Sequence, residues 1–418
     1  YNFSPIELED SIFIFHNKVR NYKGLIKHEL TEKRKDENVG NNNSNFNQER
    51  IDCIFKCYED PNFNISNKLI SFHRILAKLE YNEKSITKLL NIKSLQLIEP
   101  THLHYYDKYI LKNSHLENLI RLFLLRSHIN KKSLIDIIGQ DIYQLLTSIN
   151  LLVEDKSLVF SNVDLFQSGG MYFATDHRYM IFNADKMSED PVMYIGMDSH
   201  GLVQAAPRNS CQNLLDLCCG SGIQGIVASR YAKSILGVDL NPRAIRFARF
   251  NAQLNGLTNY KVVLGNLYDV IGDKKFDVIL ANPPFVPSPQ NNLGFRDGGK
   301  NGEEVLKNII SNSPKFLNKN GRLCIVSDLV DVKEYNEKIR DWLGDNELDC
   351  LILKTAERNE ILFSVPHCKA PFNQTFKEYN QEIDLWINNF RLNRLNSVNF
   401  GYIFLWNQTN NKKGAYAS

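Results

Sequence analysis

The chain has 418 residues, of which 43% are hydrophobic and 23% are charged, so we expect a soluble globular protein of at least two domains rather than a disordered chain. Its 50 lysines and arginines nearly balance 47 acidic residues, and the net charge of +3 excludes a global field that would draw nucleic acid to the protein. No apolar run approaches the roughly 20 residues of a membrane span.

The first residues carry acids ahead of a short apolar run and have no small-residue cleavage site, so no secretory signal is predicted and we expect cytoplasmic residence. The eight cysteines lack the paired spacings of a zinc site or a disulfide framework, and no other ligand cluster appears. We interpret most of them as small buried hydrophobes and expect no bound metal.

Residues 1–65 are predicted to be an N-terminal extension with a basic segment at 18–35 and a low-complexity, Asn-rich loop at 37–50. Residues 66–200 are predicted to form a mainly helical domain, because two stretches repeat apolar residues at helical spacing. These two stretches are 67–81 and 115–129.

The segment 131–162 has the order helix, turn, helix, strand, charged turn, strand, which is typical of a winged helix. Its second helix, at about 140–149, is the one that such a domain places in a DNA groove. Because residues 141–148 contain no Arg or Lys, we favour a protein-packing or substrate-lid role for it. Strand-like segments with glycine punctuation follow at 168–185 and 191–208.

A buried strand, a glycine-containing turn and a helix begin the next predicted domain, residues 201–418. In a doubly wound α/β sheet the first such turn holds a nucleotide cofactor, because glycine lets the backbone approach and the helix N-terminus offers free amides. Asp216, Gly220 and Gly222 have the spacing of an acidic-x-Gly-x-Gly-x-Gly turn, with Cys218 at the first glycine. By itself, such a turn also fits any Rossmann-like loop.

A second predicted strand ends in Asp239, 23 residues after Asp216, close to the roughly 20 expected for the acid that binds a ribose diol. A carboxylate accepts both hydroxyl protons, so this position favours a ribose-containing cofactor. Leu240 follows it directly. The structural alternative is that Asp239 only caps the helix predicted at 242–255.

The most specific signal is the tetrad Asn282, Pro283, Pro284 and Phe285, at the carboxyl end of a strand predicted over 276–281. This edge adjoins the switch point where a cofactor's reactive end lies. An amide or exocyclic base nitrogen is a poor nucleophile because its lone pair is delocalised. The Asn282 oxygen and the Pro283 carbonyl can accept both of its N–H bonds, which aims the lone pair and lets positive charge develop. The prolines fix the backbone, and Phe285 can stack on a planar group.

These motifs resemble class I S-adenosylmethionine-dependent methyltransferases of the methyltransferase small domain group. Members with an NPP(F/Y) tetrad include release-factor glutamine methyltransferases and RNA guanine or adenine amine methyltransferases. The resemblance covers residues 194–330 and, more loosely, a final strand at 397–406. Residues 115–180 are similar to the winged-helix-like domain in front of some bacterial members. The resemblance implies a doubly wound, Rossmann-like fold and S-adenosylmethionine as cofactor.

The resemblance also implies which residues contact the cofactor. In related enzymes the third strand ends at an Asp or Asn whose side chain, with the next backbone amide, holds the adenine amine; Asn266 and Leu267 occupy those positions. Cys218 departs from the family pattern, and its side chain narrows the turn, which affects affinity more than function. The implied cofactor set is Asp216, Cys218, Gly220, Gly222, Asp239, Leu240, Asn266 and Leu267.

Three hypotheses for function remain. The first is methylation of an amide or amine nitrogen in a protein glutamine or a small amino-acid-like metabolite, which the neutral charge favours. The second is methylation of an exocyclic amine of an RNA or DNA base, for which the tetrad is equally suited and the segment 18–35 offers basic residues. The third is a winged-helix regulator that senses the cofactor, against which the intact tetrad argues. Residues 296–299 either shape the substrate pocket or cap the helix after them.

Overall fold

The computed structural model describes residues 52–178, 190–290, 293–331, 335–346, 348–368, 375–407 and 416–417. Most of the predicted N-terminal extension, including its basic segment and its Asn-rich loop, lies outside these residues. Residues 48–418 form one compact unit. In the described part of the chain, no helix is long and apolar enough to cross a membrane.

The first part of the described chain is mainly helical, as the apolar spacing predicts. Its helices are α1 Ser66–Lys78, α2 Glu83–Leu90, α3 His115–Phe123, α4 Lys131–Ile138 and α5 Gln140–Ser148. Short helical turns lie at Lys56–Glu59, Leu95–Leu97, Pro100–His102, Leu103–Tyr105 and Tyr106–Ile110. Polar caps start the helices: the Asn82 side chain accepts from the Ser85 N–H before α2, and Ser114 forms a capping box with Glu117 in α3.

Two small antiparallel sheets accompany these helices. They consist of β1 Ile129–Asn130, β2 Leu152–Asp155 and β3 Leu158–Ser161, in the order β1-β3-β2, and of the hairpin β4 Asp164–Ser168 and β5 Met171–Thr175. Helix α5 packs against α1 and buries Ile142, Tyr143 and Leu146. It contains no Lys or Arg on any face. The winged-helix interpretation of this region stays a prediction.

The rest of the chain forms one large, mostly parallel sheet. Its described strands are β6 Cys211–Leu217, β7 Ala232–Asp239, β8 Tyr260–Leu264, β9 Phe276–Ala281, β10 Leu317–Val330, β11 Asp349–Arg358, β12 Val398–Trp406 and β13 Tyr416–Ala417. Their order is β13-β11-β12-β10-β9-β6-β7-β8, and β12 runs antiparallel to β10 and β11. Strands β6 to β10 are parallel neighbours, which is the predicted doubly wound α/β arrangement.

Helices cover both faces of this sheet. They are α6 Met197–Ala205, α7 Ile223–Ala228, α8 Pro242–Leu254, α9 Glu304–Phe316, α10 Tyr335–Leu343, α11 Glu360–His367 and α12 Phe376–Leu392. Successive residues of β6 point into different hydrophobic clusters, Leu214 into one and Leu215 into the other, and both are fully buried. A strand buried on both faces explains the continuous apolar run in the sequence.

Helix α8 joins the helical region to the large sheet. Phe55 stacks on Phe250 at a ring distance of 4.1 Å and meets Phe247 edge-on at 4.9 Å. The side chain of Asn251 in α8 accepts from the Ala174 N–H and donates to the Ala174 carbonyl. It thereby gives hydrogen-bond partners to the backbone groups at the free edge of β5. The two predicted domains therefore share a hydrophobic core. Their boundary near residue 200 stays a prediction.

One element differs from the sequence interpretation. The sequence predicts a strand-like segment with glycines at residues 191–208, but the structure has helix α6 there. The helix has only a weak apolar stripe because it buries polar residues, Asp198 and Ser199, beside Leu202. Its Gly201 lies where a Cβ would be 2.1 Å from the Tyr402 hydroxyl, so a larger residue there would displace that side chain of β12.

An insertion between β11 and β12 carries α11 and α12. Phe363, Trp386 and Phe390 from these helices pack with Val286 and Val398 in a separate small hydrophobic cluster. Val286 follows the Asn282–Phe285 tetrad directly, so the insertion rests on the segment next to it.

Replacing Phe55 by Ala should destabilise the protein by about 3 to 5 kcal/mol, because it removes a fully buried ring from the core shared with α8. Denaturant unfolding followed by tryptophan fluorescence measures this change. Phe376→Ala is the matched control, since that ring is 75% exposed. Equal destabilisation by the two variants would show that Phe55 does not contribute to a joint core.

Candidate active site

The glycine-containing turn after β6 requires three residues in the left-handed region. Cys218 has φ 54°, Gly220 φ 53° and Gly222 φ 86°. Glycine is usual at the first of these positions because a left-handed backbone is uncommon for residues with a Cβ. Cys218 adopts this conformation although it has a Cβ.

Tyr260 of β8 fills the space beneath this turn. A Cβ at Gly222, Gly225 or Gly237 would lie 3.1, 2.7 or 2.5 Å from the tyrosine side chain, respectively. The Tyr260 hydroxyl donates to Oδ2 of Asp216 at 3.1 Å, and the Gly225 N–H donates to the same oxygen at 2.8 Å. Asp216 therefore lies beneath the turn, and Gly222 faces the tyrosine from within it. Neither residue lines the cavity above the turn.

Asp239 ends β7 at the same edge of the sheet. Its Oδ2 accepts from the Gly220 N–H at 2.8 Å and its Oδ1 accepts from the Asn241 N–H at 2.9 Å. Burial raises the pKa of the Asp239 carboxyl, and these backbone donors oppose the rise. Leu240 beside it is 69% exposed.

A first cavity of about 400 Å³ lies above the turn. From the predicted cofactor set it is lined by Cys218, Gly220, Asp239, Leu240, Asn266 and Leu267. Gln224 also lines it, and its buried Oε1 has no hydrogen-bond partner among the described residues, while its Nε2 donates to the Ser199 carbonyl at 2.9 Å. Sequence reasoning missed Gln224, which lies two residues after Gly222 in the first turn of α7.

A second cavity of about 960 Å³ adjoins the first. Asn282 lines both, Pro284 lines the first, and Pro283 and Phe285 line the second. The tetrad at the end of β9 therefore contributes to the walls of both cavities, and Asn282 lines each of them.

Asn282 is held by the helix that the sequence did not predict. Its Nδ2 donates to Oδ2 of Asp198 at 2.8 Å and also lies 3.3 Å from the Ser199 hydroxyl. Burial raises the pKa of Asp198, whereas the Asn282 donor lowers it. The only signal for Asp198 in the sequence is an acid in a strand-like segment, which by itself does not mark a site.

Arginines and aromatic side chains from several segments line the rest of the second cavity. Arg358 at the end of β11 pairs with buried Asp328, whose pKa burial raises to about 6. Arg296 pairs with Asp297 at 2.7 Å and lies over the Trp386 ring at 5.3 Å. Residue 296, for which the sequence left two alternatives open, therefore forms part of the pocket wall.

The segment after the tetrad is fixed to that arginine. The Val286 N–H donates to the Arg296 carbonyl at 2.9 Å, and the Gly298 N–H donates to the Val286 carbonyl at 3.0 Å. A Cβ at Gly298 would be 2.8 Å from the Pro284 carbonyl oxygen, so this approach needs glycine. The loop thus holds the backbone of the tetrad in place.

Comparison with known proteins extends over the large sheet. Residues 195–350 match the methyltransferase small domain. A putative protein N5-glutamine methyltransferase of Methanocaldococcus jannaschii is 37% identical over 138 residues, which cover 31% of this chain and 68% of that protein. The chain belongs to the methyltransferase small domain family. It is therefore a methyltransferase, and its cofactor is S-adenosylmethionine.

Two other relatives match shorter parts of their own length. A release factor glutamine methyltransferase of Thermodesulfovibrio yellowstonii is 29% identical over 28% of this chain and 47% of that protein. A ribosomal protein L11 methyltransferase of Clostridium botulinum is 39% identical over 42% of this chain and 56% of that protein. This chain thus spans about half the length of these two relatives.

The first cavity fits a cationic, ribose-containing cofactor. The Asp239 carboxylate faces it, and the orphaned Oε1 of Gln224 is an acceptor without a partner in the described structure. Among the described residues no group of three His, Cys, Asp or Glu side chains is arranged to hold a metal ion.

Burial raises the pKa of Asp216 from 3.8 to about 7. Between those pH values the folded enzyme keeps a proton that the unfolded chain releases, so the enzyme loses stability as the pH rises through this interval. Asp216→Asn mimics the protonated acid and should remove this loss. From about pH 5 to about pH 8, the wild type should lose on the order of 3 kcal/mol relative to the variant.

The measurement is denaturant unfolding of both proteins at the two pH values. A stability difference that does not change with pH would contradict the buried, protonated state of Asp216.

Proposed function

We propose that this enzyme transfers a methyl group to the side-chain amide nitrogen of a glutamine in a protein. The observation that supports this most directly is the position of Asn282, which lines both cavities. The first cavity is then the cofactor site and the second is the acceptor site.

The first cavity has suitable groups for the ribose, the adenine and the ammonium group of S-adenosylmethionine. The Asp239 carboxylate would accept the ribose hydroxyls, and Asn266 with the Leu267 N–H would bind the adenine amine. Gln224 Oε1 would accept from the ammonium group. When bound, the cofactor supplies an electrophilic methyl group on a sulfonium, so a neutral nitrogen can attack it without a metal ion.

The tetrad provides what an amide nucleophile lacks. Asn282 Oδ1 and the Pro283 carbonyl would each accept one N–H of the glutamine amide, which turns its lone pair toward the first cavity. As the new C–N bond forms and the sulfur–carbon bond breaks, positive charge develops on nitrogen, and these oxygens stabilise it. The methylated amide then releases one N–H proton to solvent, and S-adenosylhomocysteine remains.

The mouth of the second cavity favours a protein acceptor. Leu97, Met197 and Leu385 line this cavity and are 52%, 78% and 46% exposed. Exposed apolar side chains around a pocket are typical of surfaces that contact another protein. They come from three separate segments of the chain. Two of the relatives are named as glutamine methyltransferases, which agrees with this acceptor.

A nucleic acid acceptor has less support. Helix α5, the element that a winged helix would place in a DNA groove, contains no Lys or Arg, and the sequence favours a protein-packing or substrate-lid role for it. Nucleic acid binding needs cations along a phosphate backbone. The basic segment at 18–35 lies outside the described residues, so it adds no structural support for the base-amine alternative.

Asp239→Ala should weaken S-adenosylmethionine binding by about 1 to 3 kcal/mol, because it removes charge-assisted bonds to the ribose and releases the Gly220 N–H. Isothermal titration calorimetry measures this change. Asp345→Ala, at an exposed position far from the turn in sequence, is the control. Unchanged affinity in Asp239→Ala would remove the ribose assignment.

Asn282→Ala should lower the rate of methyl transfer about a hundredfold or more and leave cofactor affinity nearly unchanged. Asn282→Asp should be milder, since a carboxylate still accepts N–H bonds. The assay incubates the enzyme and labelled S-adenosylmethionine with a purified bacterial release factor, with ribosomal proteins and, separately, with RNA. Mass spectrometry of digested proteins then locates the added methyl group. Asn346→Ala, at an exposed asparagine, is the control.

Label on a glutamine side chain, lost in Asn282→Ala, is the expected result. Label that appears only on RNA, or only on free amino acids, would overturn the protein-glutamine proposal.

A further inference from the structure

The Asn282 amide has a buried anionic partner. Asp198 is only 8% exposed, and its Oδ2 accepts from Asn282 Nδ2 at 2.8 Å. Asp198 is the second residue of α6, in the first turn of the helix, where the free N–H groups and the helix dipole favour a negative charge. The helix start thereby offsets part of the cost of burying this carboxylate.

This contact fixes which end of the amide faces the acceptor. A primary amide has a donor end and an acceptor end of nearly equal size, and rotation about its last side-chain bond exchanges them. A carboxylate accepts and does not donate, so it holds the Nδ2 end toward α6. The Oδ1 end must then point away from Asp198. If the amide turned over, its N–H groups would face those of the acceptor and repel them.

The charge of Asp198 acts in the same direction. A carboxylate that accepts from Asn282 Nδ2 polarises the amide and increases the partial negative charge on Oδ1, because hydrogen bonds in series polarise one another. The charged neighbours of Asp198 include His200 and Asp328, and Asp328 is itself paired with Arg358. A positive charge that develops beyond Asn282 therefore meets the buried carboxylate on the other end of the amide.

We propose that Asp198 is a positioning residue for methyl transfer: through its hydrogen bond it orients and polarises the Asn282 amide, so that Oδ1 accepts an N–H of the acceptor nitrogen. This inference rests on the proposed function, because it requires that the acceptor nitrogen carries an N–H. Asp198 lines the second cavity but not the first, and its proposed role passes through its hydrogen bond to Asn282.

A double-mutant cycle tests the proposal. The four proteins are the wild type, Asp198→Ala, Asn282→Ala and the double variant, assayed in single turnover with the release factor as probe. Asp198→Ala should lower kcat by about tenfold to a hundredfold with little change in KM. In the double variant Asp198→Ala should cost nothing further, because its effect passes through Asn282. Asp198→Asn, which can still accept from Nδ2, should recover part of the rate. Independent, multiplying effects of the two substitutions would overturn the proposal.

Leu202→Ala is the matched control for helix stability. Leu202 is fully buried on the same helix and lines neither cavity. Its replacement should lower the melting temperature yet leave the rate unchanged below the transition. If Asp198→Ala lost activity only in proportion to such a loss of stability, the positioning role would be wrong.

A second readout is independent of any acceptor. In protein labelled with 15N-asparagine, the side-chain amide signal of Asn282 is identified by its loss in Asn282→Ala. In the wild type this signal should be protected from exchange with water, and in Asp198→Ala the protection should fall by about tenfold or more, since one hydrogen bond is lost. Unchanged protection would overturn the proposal, whereas absence of glutamine methylation with this loss of protection would overturn only the proposed acceptor.

Discussion

The hydrogen bond from the Tyr260 hydroxyl to the buried Asp216 carboxyl group holds the glycine-containing turn beneath the first cavity. Asp216 also receives the Gly225 N–H, so one oxygen joins β6, β8 and the start of α7. The tyrosine side chain leaves no room for a Cβ at Gly225 or Gly237 and only a tight fit for one at Gly222. Because these contacts fix the turn from below, its upper surface is free to form the floor of the first cavity.

The two cavities also depend on the carboxyl ends of the parallel strands, which lie at one edge of the sheet. Asp239 at the end of β7 and Asn282 after β9 lie on either side of β6, and the Gly220 N–H bound to Asp239 ties the turn to that edge. Ligands in open α/β sheets bind outside the carboxyl ends of the strands for this reason. The chain adds two elements of its own: α6, which contributes Asp198, and the insertion of α11 and α12, which contributes Trp386.

Burial raises the pKa of Asp198, Asp239 and Asp328 around the two cavities, and each of these carboxyls accepts hydrogen bonds. Backbone N–H groups bind Asp239, the Asn282 amide binds Asp198, and Arg358 binds Asp328. A site built from partly compensated buried anions gains more from a bound cation than from a neutral ligand. This electrostatic character agrees with a sulfonium cofactor and with positive charge that develops on the acceptor nitrogen.

The local elements followed from the sequence. The strand predicted over 276–281 is β9 with the same bounds, and the spacing of Asp216, Gly220 and Gly222 predicted the strand, turn and helix that the structure contains. These features depend on apolar runs and on backbone conformations that only certain residues adopt, so they are visible in a short window of residues.

Tertiary structure decided which of the predicted residues line the cavities and which only support the turn. Asp216 and Gly222 share a motif with Gly220, yet they face Tyr260, which is distant in sequence. Asp198 lies 84 residues before Asn282 and belongs to a helix whose buried side is partly polar, so no periodicity marks it. The sequence by itself determined the strand ends and the tetrad, because strand, turn and proline preferences are local. Only the folded chain decided which side chains face the cavities, because that depends on which distant segments pack against them.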